Sequence, residues 1–288
     1  MNENMIVQWF PGHMAKTRRK IKEILPLIDA VAEVVDARIP LSSRNPEIKE
    51  LIEDKPHIIL LNKCDMADKA VTDKWIEHYK AQGSFAIAID CKSGKGLNAF
   101  KDTVKTALGY KLEAYAEKGM VGKPLRVMVV GIPNVGKSSF INRVAGKSKA
   151  KVENRPGVTR GNQWFTIDKQ LELLDTPGVL WPKFEDKTVG EHLAFTGAVK
   201  DRILDTELLA MRLLENLTEN YKDLLTKRYG ELDFSLDSYD LLCLVGKKRG
   251  MVIRGGETDT ERAANMLLEE YRNCKIGFIS LERAVENA

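Results

Sequence analysis

Leu125-Arg126-Val127-Met128-Val129-Val130 runs straight into Gly131-Ile132-Pro133-Asn134-Val135-Gly136-Lys137-Ser138, and the reading of this stretch decides the fold. Its first part is an apolar run broken by one arginine, the pattern of a parallel strand buried on both faces. The second part fits G-x-x-x-x-G-K-[ST] at every fixed position, so a tight loop follows the strand and a helix opens at Ser139. In such a loop glycines let backbone N–H groups close around phosphate oxygens, and the helix N-terminus faces the anion. Lys137 neutralises the β and γ oxygens, and Ser138 offers its hydroxyl to Mg²⁺. The phosphate-binding residues read this way are Asn134, Val135, Gly136, Lys137, Ser138 and Ser139.

Further segments fit the same chemistry. Asp175-Thr176-Pro177-Gly178 follows the strand-like Leu171-Glu172-Leu173-Leu174, so Asp175 is expected to hold Mg²⁺ through water and the Gly178 N–H to sense the γ-phosphate. Between the two elements, Arg155-Pro156-Gly157-Val158-Thr159-Arg160 carries Thr159, expected to complete the Mg²⁺ shell only when the γ-phosphate is present. Upstream of both, Asn62-Lys63-Cys64-Asp65 follows the strand His57-Ile58-Ile59-Leu60-Leu61. A carboxylate at Asp65 can accept the N1–H and the 2-amino hydrogens of guanine, a donor pair that adenine lacks, so GTP is preferred over ATP. Lys63 is expected to lay its stem over the base, and Asn62 to tie this loop to the phosphate loop. Ile87-Ala88-Ile89-Asp90-Cys91-Lys92-Ser93-Gly94 ends another strand, with Cys91 and Lys92 where GTPases carry a Ser-Ala pair. A backbone contact to guanine O6 is what that loop retains. The guanine-reading motif precedes the phosphate loop, the reverse of the ordinary order, which makes the motif set that of a circularly permuted GTPase.

The order of elements predicts an α/β, doubly wound, mostly parallel sheet over residues 1–188 and a small all-helical domain over 189–288. A helix from about His13 to Leu25 leads into the strand Ala30–Asp36. In the second part Glu207–Leu214 and Thr258–Asn273 repeat at helical spacing, Gly246-Lys247-Lys248-Arg249-Gly250 reads as a basic turn between helices, and Tyr115–Lys123 as a charged connector. Because Asp175–Gly178 closes the first domain, nucleotide state can move the helical tail directly.

Composition excludes some classes. The four cysteines, Cys64, Cys91, Cys243 and Cys274, show no C-x-x-C or Cys/His metal spacing, which predicts a reducing compartment and no structural zinc. No run approaches a membrane span and the start lacks a signal-peptide pattern, so a cytoplasmic location with no membrane partner is expected. No long apolar heptad appears, and a monomer is the expectation. Charges are nearly balanced, 45 basic against 41 acidic, but they cluster: Lys16, Arg18, Arg19, Lys20 and Lys22 early, Lys247, Lys248, Arg249 and Arg254 late. These are candidate RNA contacts, chiefly Lys16, Arg18, Arg19, Lys247, Lys248 and Arg249, or else solvated faces.

Gln8-Trp9-Phe10-Pro11-Gly12-His13-Met14-Ala15-Lys16, Asp36-Ala37-Arg38-Ile39-Pro40, Ser42-Ser43-Arg44-Asn45-Pro46 and Trp181-Pro182-Lys183-Phe184, with the permuted motifs, closely resemble the bacterial ribosome biogenesis GTPase A family. The similarity spans nearly the whole chain. It implies an enzyme that binds late precursors of the large (50S) ribosomal subunit and their rRNA in the GTP state, hydrolyses GTP to GDP there, and leaves. Val179 stands where many GTPases carry the glutamine that orients water, so intrinsic hydrolysis should be slow. The resemblance makes His13 the candidate catalytic group. Asn134 resembles the asparagine of potassium-activated GTPases, which makes K⁺ a candidate second cofactor beside Mg²⁺. Asp36 and Arg38 are read as bracing the switch region and the 42–46 turn. Two other functions stay open: a nucleotide-gated rRNA-binding module with little catalysis, and a small-subunit assembly GTPase.

Overall fold

The computed structural model describes residues 19, 21–52, 54–120, 122–146, 152–153, 163–176, 186–199 and 205–284. His13, Lys16, Arg18, Thr159, Gly178 and Val179 lie outside the described residues. The chain divides into two compact units, whose described parts are 19–176 with 282–284, and 186–281. The helix Lys187–Phe195 therefore straddles the boundary expected at 188/189, and the residues after Leu281 belong with the first unit.

In the first unit the strands are β1 (Ala30–Asp36), β2 (His57–Asn62), β3 (Phe85–Ala88), β4 (Leu125–Val130), β5 (Val152–Glu153), β6 (Gln163–Asp168) and β7 (Leu171–Asp175), in the order β3-β2-β1-β4-β7-β6-β5. From β3 to β7 every pairing is parallel, while β6 joins β7 and β5 antiparallel. The chain winds one way from β1 and the other way from β4, so the point where strand order reverses lies between these neighbours. Open parallel sheets bind ligands at that point, beyond the carboxyl ends of the strands. The helices are α1 (Glu47–Leu51), α2 (Lys69–Ala81), α3 (Leu97–Ala107), α4 (Gly109–Glu117) and α5 (Lys137–Ala145). Helix α4 takes in the first part of the expected Tyr115–Lys123 connector, leaving a shorter link to β4.

All seven residues of β1 are buried, as a central strand covered on both faces requires. Alternation puts Val31, Glu33 and Val35 on one face. There Val31 joins a cluster with Ile48, Leu51, Met128 and Trp164, and Val35 joins another with Leu61, Val71, Trp75 and Tyr79. Glu33 sits between them, fully buried, with Arg44 Nε 3.0 Å and His57 Nε2 3.1 Å from its Oε2. Burial opposes its ionisation, but the close approach of His57 and the Arg44 charge outweigh this and hold the carboxyl below its usual range. Elsewhere in the unit, Phe100 of α3 meets Phe140 of α5 edge to face at 4.9 Å.

The second unit contains α6 (Lys187–Phe195), α7 (Thr206–Asn220), α8 (Lys222–Tyr229), α9 (Ser238–Lys248) and α10 (Thr260–Arg272). Four of these five start on an aspartate that accepts from the first turn: Asp186, Asp205, Asp237 and Asp259. The core is leucine-rich, with Leu209, Leu213, Leu217, Leu242 and Leu267 fully buried. Gly246 to Lys248 form the last turn of α9 rather than an inter-helix turn, and only Arg249 and Gly250 cap it. Gly246 faces inward, where an added Cβ would come within 2.6 Å of Thr258. Tight packing thus explains a glycine that sequence spacing suggested was a turn.

Candidate nucleotide site

The guanine-reading and phosphate loops leave the carboxyl ends of β2 and β4 and are joined directly. Asn62 Nδ2 donates to the Val135 carbonyl at 2.7 Å, and its Oδ1 accepts the Cys91 N–H at 3.1 Å. One buried amide therefore links three loops, from β2, β3 and β4. Lys63 Nζ donates to the Asn134 carbonyl at 3.0 Å and to Asp36 Oδ2 at 2.8 Å. These contacts require unusual backbone: Lys63 (φ 61°) and Asn134 (φ 64°) are both left-handed, a conformation rare outside glycine. Gly136 (φ 98°) could not be otherwise, since a Cβ there would stand 2.2 Å from Asn62 Nδ2.

Helix α5 begins at Lys137, with Ser138 and Ser139 exposed in its first turn. The largely buried Lys137 ammonium pairs with Asp175 at the end of β7, and Thr176 Oγ1 donates to the Val129 carbonyl at 2.7 Å. The phosphate-loop lysine and the candidate Mg²⁺ carboxylate thus occupy one corner. Asp65 is exposed in the turn closed by Met66 N–H to the Lys63 carbonyl, 2.9 Å.

The β3 loop departs from expectation. Cys91 gives its N–H to Asn62, and Lys92 gives its N–H to Asp90 Oδ1 at 2.7 Å. The Cys91 and Lys92 N–H groups, the candidate backbone donors to guanine O6, are thus both engaged within the protein. Burial, with the Asp90 charge, pushes the Cys91 thiol up to about 12, and burial raises that of Cys64. Neither is a ready thiolate at neutral pH.

Asp36 bonds the 42–46 turn, as the sequence reading has it, through its N–H to Ser43 Oγ at 2.9 Å. Arg38 donates to both Asp36 oxygens, at 2.9 and 2.8 Å, with both side chains buried. Burial opposes ionisation of Asp36, yet Arg38 and Lys63 hold its carboxyl far below the usual range. The pair also braces Lys63 of the guanine loop, and Glu33 holds the 42–46 turn as well, accepting from Arg44 and from the Asn45 N–H. Sequence reasoning missed Glu33 although its signal was plain: a charged residue inside an apolar strand needs buried partners. Among the described basic candidates, Arg19 pairs with Glu23 at 3.3 Å, Arg249 with Glu270 at 3.1 Å, and Lys247 and Lys248 are exposed. No group of side chains able to hold a metal by Cys, His, Asp or Glu alone occurs among the described residues. No helix among the described residues is long and apolar enough to cross a membrane.

A parallel sheet whose guanine loop precedes its phosphate loop in sequence, yet sits beside it in space, defines a circularly permuted GTPase. A protein-family model described as "50S ribosome-binding GTPase" matches residues 126–232. "Ribosome biogenesis GTPase A" of Priestia megaterium is 50% identical over 280 residues, 96% of this chain and 97% of its own. "Mitochondrial ribosome-associated GTPase 1" of Bos taurus is 33% identical over 96% of this chain and 89% of its own. The crystal structure of GNP-bound YlqF from T. maritima superposes with a TM-score of 0.64 at 29% identity, covering 93% of this chain and 98% of that one. The chain belongs to the ribosome biogenesis GTPase A family. It is a GTPase of ribosome assembly that binds GTP and GDP and works with ribosomal partners.

Proposed function

We propose that the chain acts at a late step of large-subunit maturation, binding the precursor particle and its rRNA in the GTP state and leaving when the particle stimulates hydrolysis. The observation that carries the reading is the Asn62 amide, which locks the guanine loop to the phosphate loop beside the Lys137–Asp175 corner. The description of the matching family, a 50S ribosome-binding GTPase, supports the large subunit as partner. Guanine is read by Asp65, with Lys63 over the base and Asn62 as support, and the Cys91-Lys92 backbone beside O6. The phosphates lie along Asn134 to Ser139. Ser138 and Thr159, with Asp175 through water, would hold Mg²⁺, which would supply positive charge to the phosphates. Asn134 would hold K⁺, and His13 would orient the attacking water in place of the missing glutamine. Lys16, Arg18, Arg19, Lys247, Lys248 and Arg249 contact RNA. The protein works as a cytoplasmic monomer.

The test is steady-state GTP turnover in potassium buffer, alone and with isolated large or small subunits. Selective acceleration by large subunits is expected, lost when sodium replaces potassium or in His13→Ala. Acceleration by small subunits alone would reassign the partner, and no acceleration by either would leave a nucleotide-gated binding module.

A further inference from the structure

Glu282 directly follows the helical unit and belongs to the GTPase unit. Its carboxylate is 8% exposed and accepts the Leu41 N–H at 2.6 Å, the Ser42 N–H at 2.9 Å and the Ser42 hydroxyl. The Glu282 carbonyl accepts Trp75 Nε1 at 3.1 Å, and Ala284 packs, as Cys64 does, against the cluster that contains Val71 and Trp75. The tail therefore grips the turn after Asp36 and also the helix that follows the guanine loop.

From that turn the contacts continue to the pocket. Ser43 is fully buried; its Oγ accepts the Asp36 N–H at 2.9 Å and donates to the Ile39 carbonyl at 2.7 Å. Asp36 then holds Lys63, which also bonds the Asn134 carbonyl of the phosphate loop. Apart from the peptide bond between Ser42 and Ser43, each link is a short polar contact, and those from Glu282 to Ser42 and from Ser43 to Asp36 are buried. Such contacts are geometrically exacting, and a lost partner shifts its neighbours.

We infer that Glu282 is a positioning residue of the nucleotide pocket, acting through Ser42, Ser43 and Asp36 on Lys63, so that the seating of the tail sets how long guanine nucleotide is retained. The inference rests on the guanine-binding role given to the Asn62–Asp65 loop. The helical unit is joined covalently to the GTPase unit at both ends: through 177–185 to the Asp175 switch segment, and at Leu281 to the Glu282 latch. Load on that unit can thus reach the base-reading loop as well as the γ-phosphate side.

The experiment measures dissociation of fluorescent mant-GDP from the full chain and from Glu282→Ala, Glu282→Gln and a chain ending at Leu281. Leu171→Ala is included as a core variant at the amino ends of the strands, and Asp65→Asn as a test of the pocket itself. Expected are about tenfold faster release for Glu282→Ala and the truncation, corresponding to about 1.4 kcal/mol. Glu282→Gln should recover most of the wild-type rate because its Oε1 can still accept an N–H. A merely structural role predicts that Leu171→Ala, destabilised comparably in thermal melts, releases nucleotide as fast as Glu282→Ala, and that result overturns the inference. Wild-type rates in all Glu282 variants, with Asp65→Asn accelerated, overturn it too. If Asp65→Asn also releases at the wild-type rate, the guanine-pocket reading fails and takes the inference with it.

Discussion

Each unit of this protein contains a buried carboxylate shared by two cations, and the two are used for different ends. Asp36 binds Arg38 and Lys63, and Lys63 belongs to the base-reading loop, so the ion cluster reaches the nucleotide site. Glu270 on α10 binds Arg228 of α8 at 2.5 Å and Arg249 after α9 at 3.1 Å, and accepts the Tyr229 hydroxyl at 3.0 Å. It fastens three helical segments to one another. Comparable electrostatics therefore serve ligand positioning in one unit and helix assembly in the other, and only the identity of the second cation separates the two uses.

Removing Asp36 should cost most, because it leaves Arg38, 2% exposed, buried without its carboxylate partner. Asp36→Ala is expected to lose about 3–5 kcal/mol in urea unfolding. Nucleotide release should also quicken; slow release from a destabilised variant would break the link between cluster and pocket. For Asp65→Asn, with the exposed carboxylate lost but no core contact changed, GDP affinity should fall about a hundredfold in a titration while the melting curve stays put. Glu270→Ala is expected to cost about 2 kcal/mol, a lower figure than for Asp36 because Arg228 and Arg249 are 27% and 36% exposed and partly screened. Its mant-GDP release should match wild type, and any acceleration would erase the contrast drawn between the two clusters.

Acid provides a finer comparison. Both carboxyls are held below their unfolded values, so the stabilisation is complete above about pH 5 and is lost as pH falls toward the folded values. Between pH 5 and pH 3 the wild type should lose about 1 kcal/mol more than Asp36→Asn. Equal acid slopes would mean that Asp36 does not carry the charge assigned to it.

The parallel strands and the motif loops were legible because each carries a local signal: apolar runs of strand length, and residue types that phosphate and guanine chemistry demand. β1 and β4 have the bounds their sequences suggest. The helical unit was legible as helices by period, but Gly246 was misread because a glycine forced by packing looks like one forced by a turn. Glu282 could not be found from sequence at all. Its partners, Leu41 and Ser42, lie more than two hundred residues upstream, and no periodicity or spacing connects them. Glu33 falls between these cases, since the strand announces that it must be paired but not with what.

The bond from Asn62 to Val135 spans 73 positions of sequence. During synthesis the base-reading loop emerges first and waits for β4, which is made much later and which must then insert beside β1. Until that moment there is no phosphate loop to complete the site, so nucleotide cannot assist the earlier half of the sheet as a folding ligand. A GTPase with the ordinary motif order can offer its phosphate loop from the outset, whereas in this chain GTP can reward only a nearly finished domain.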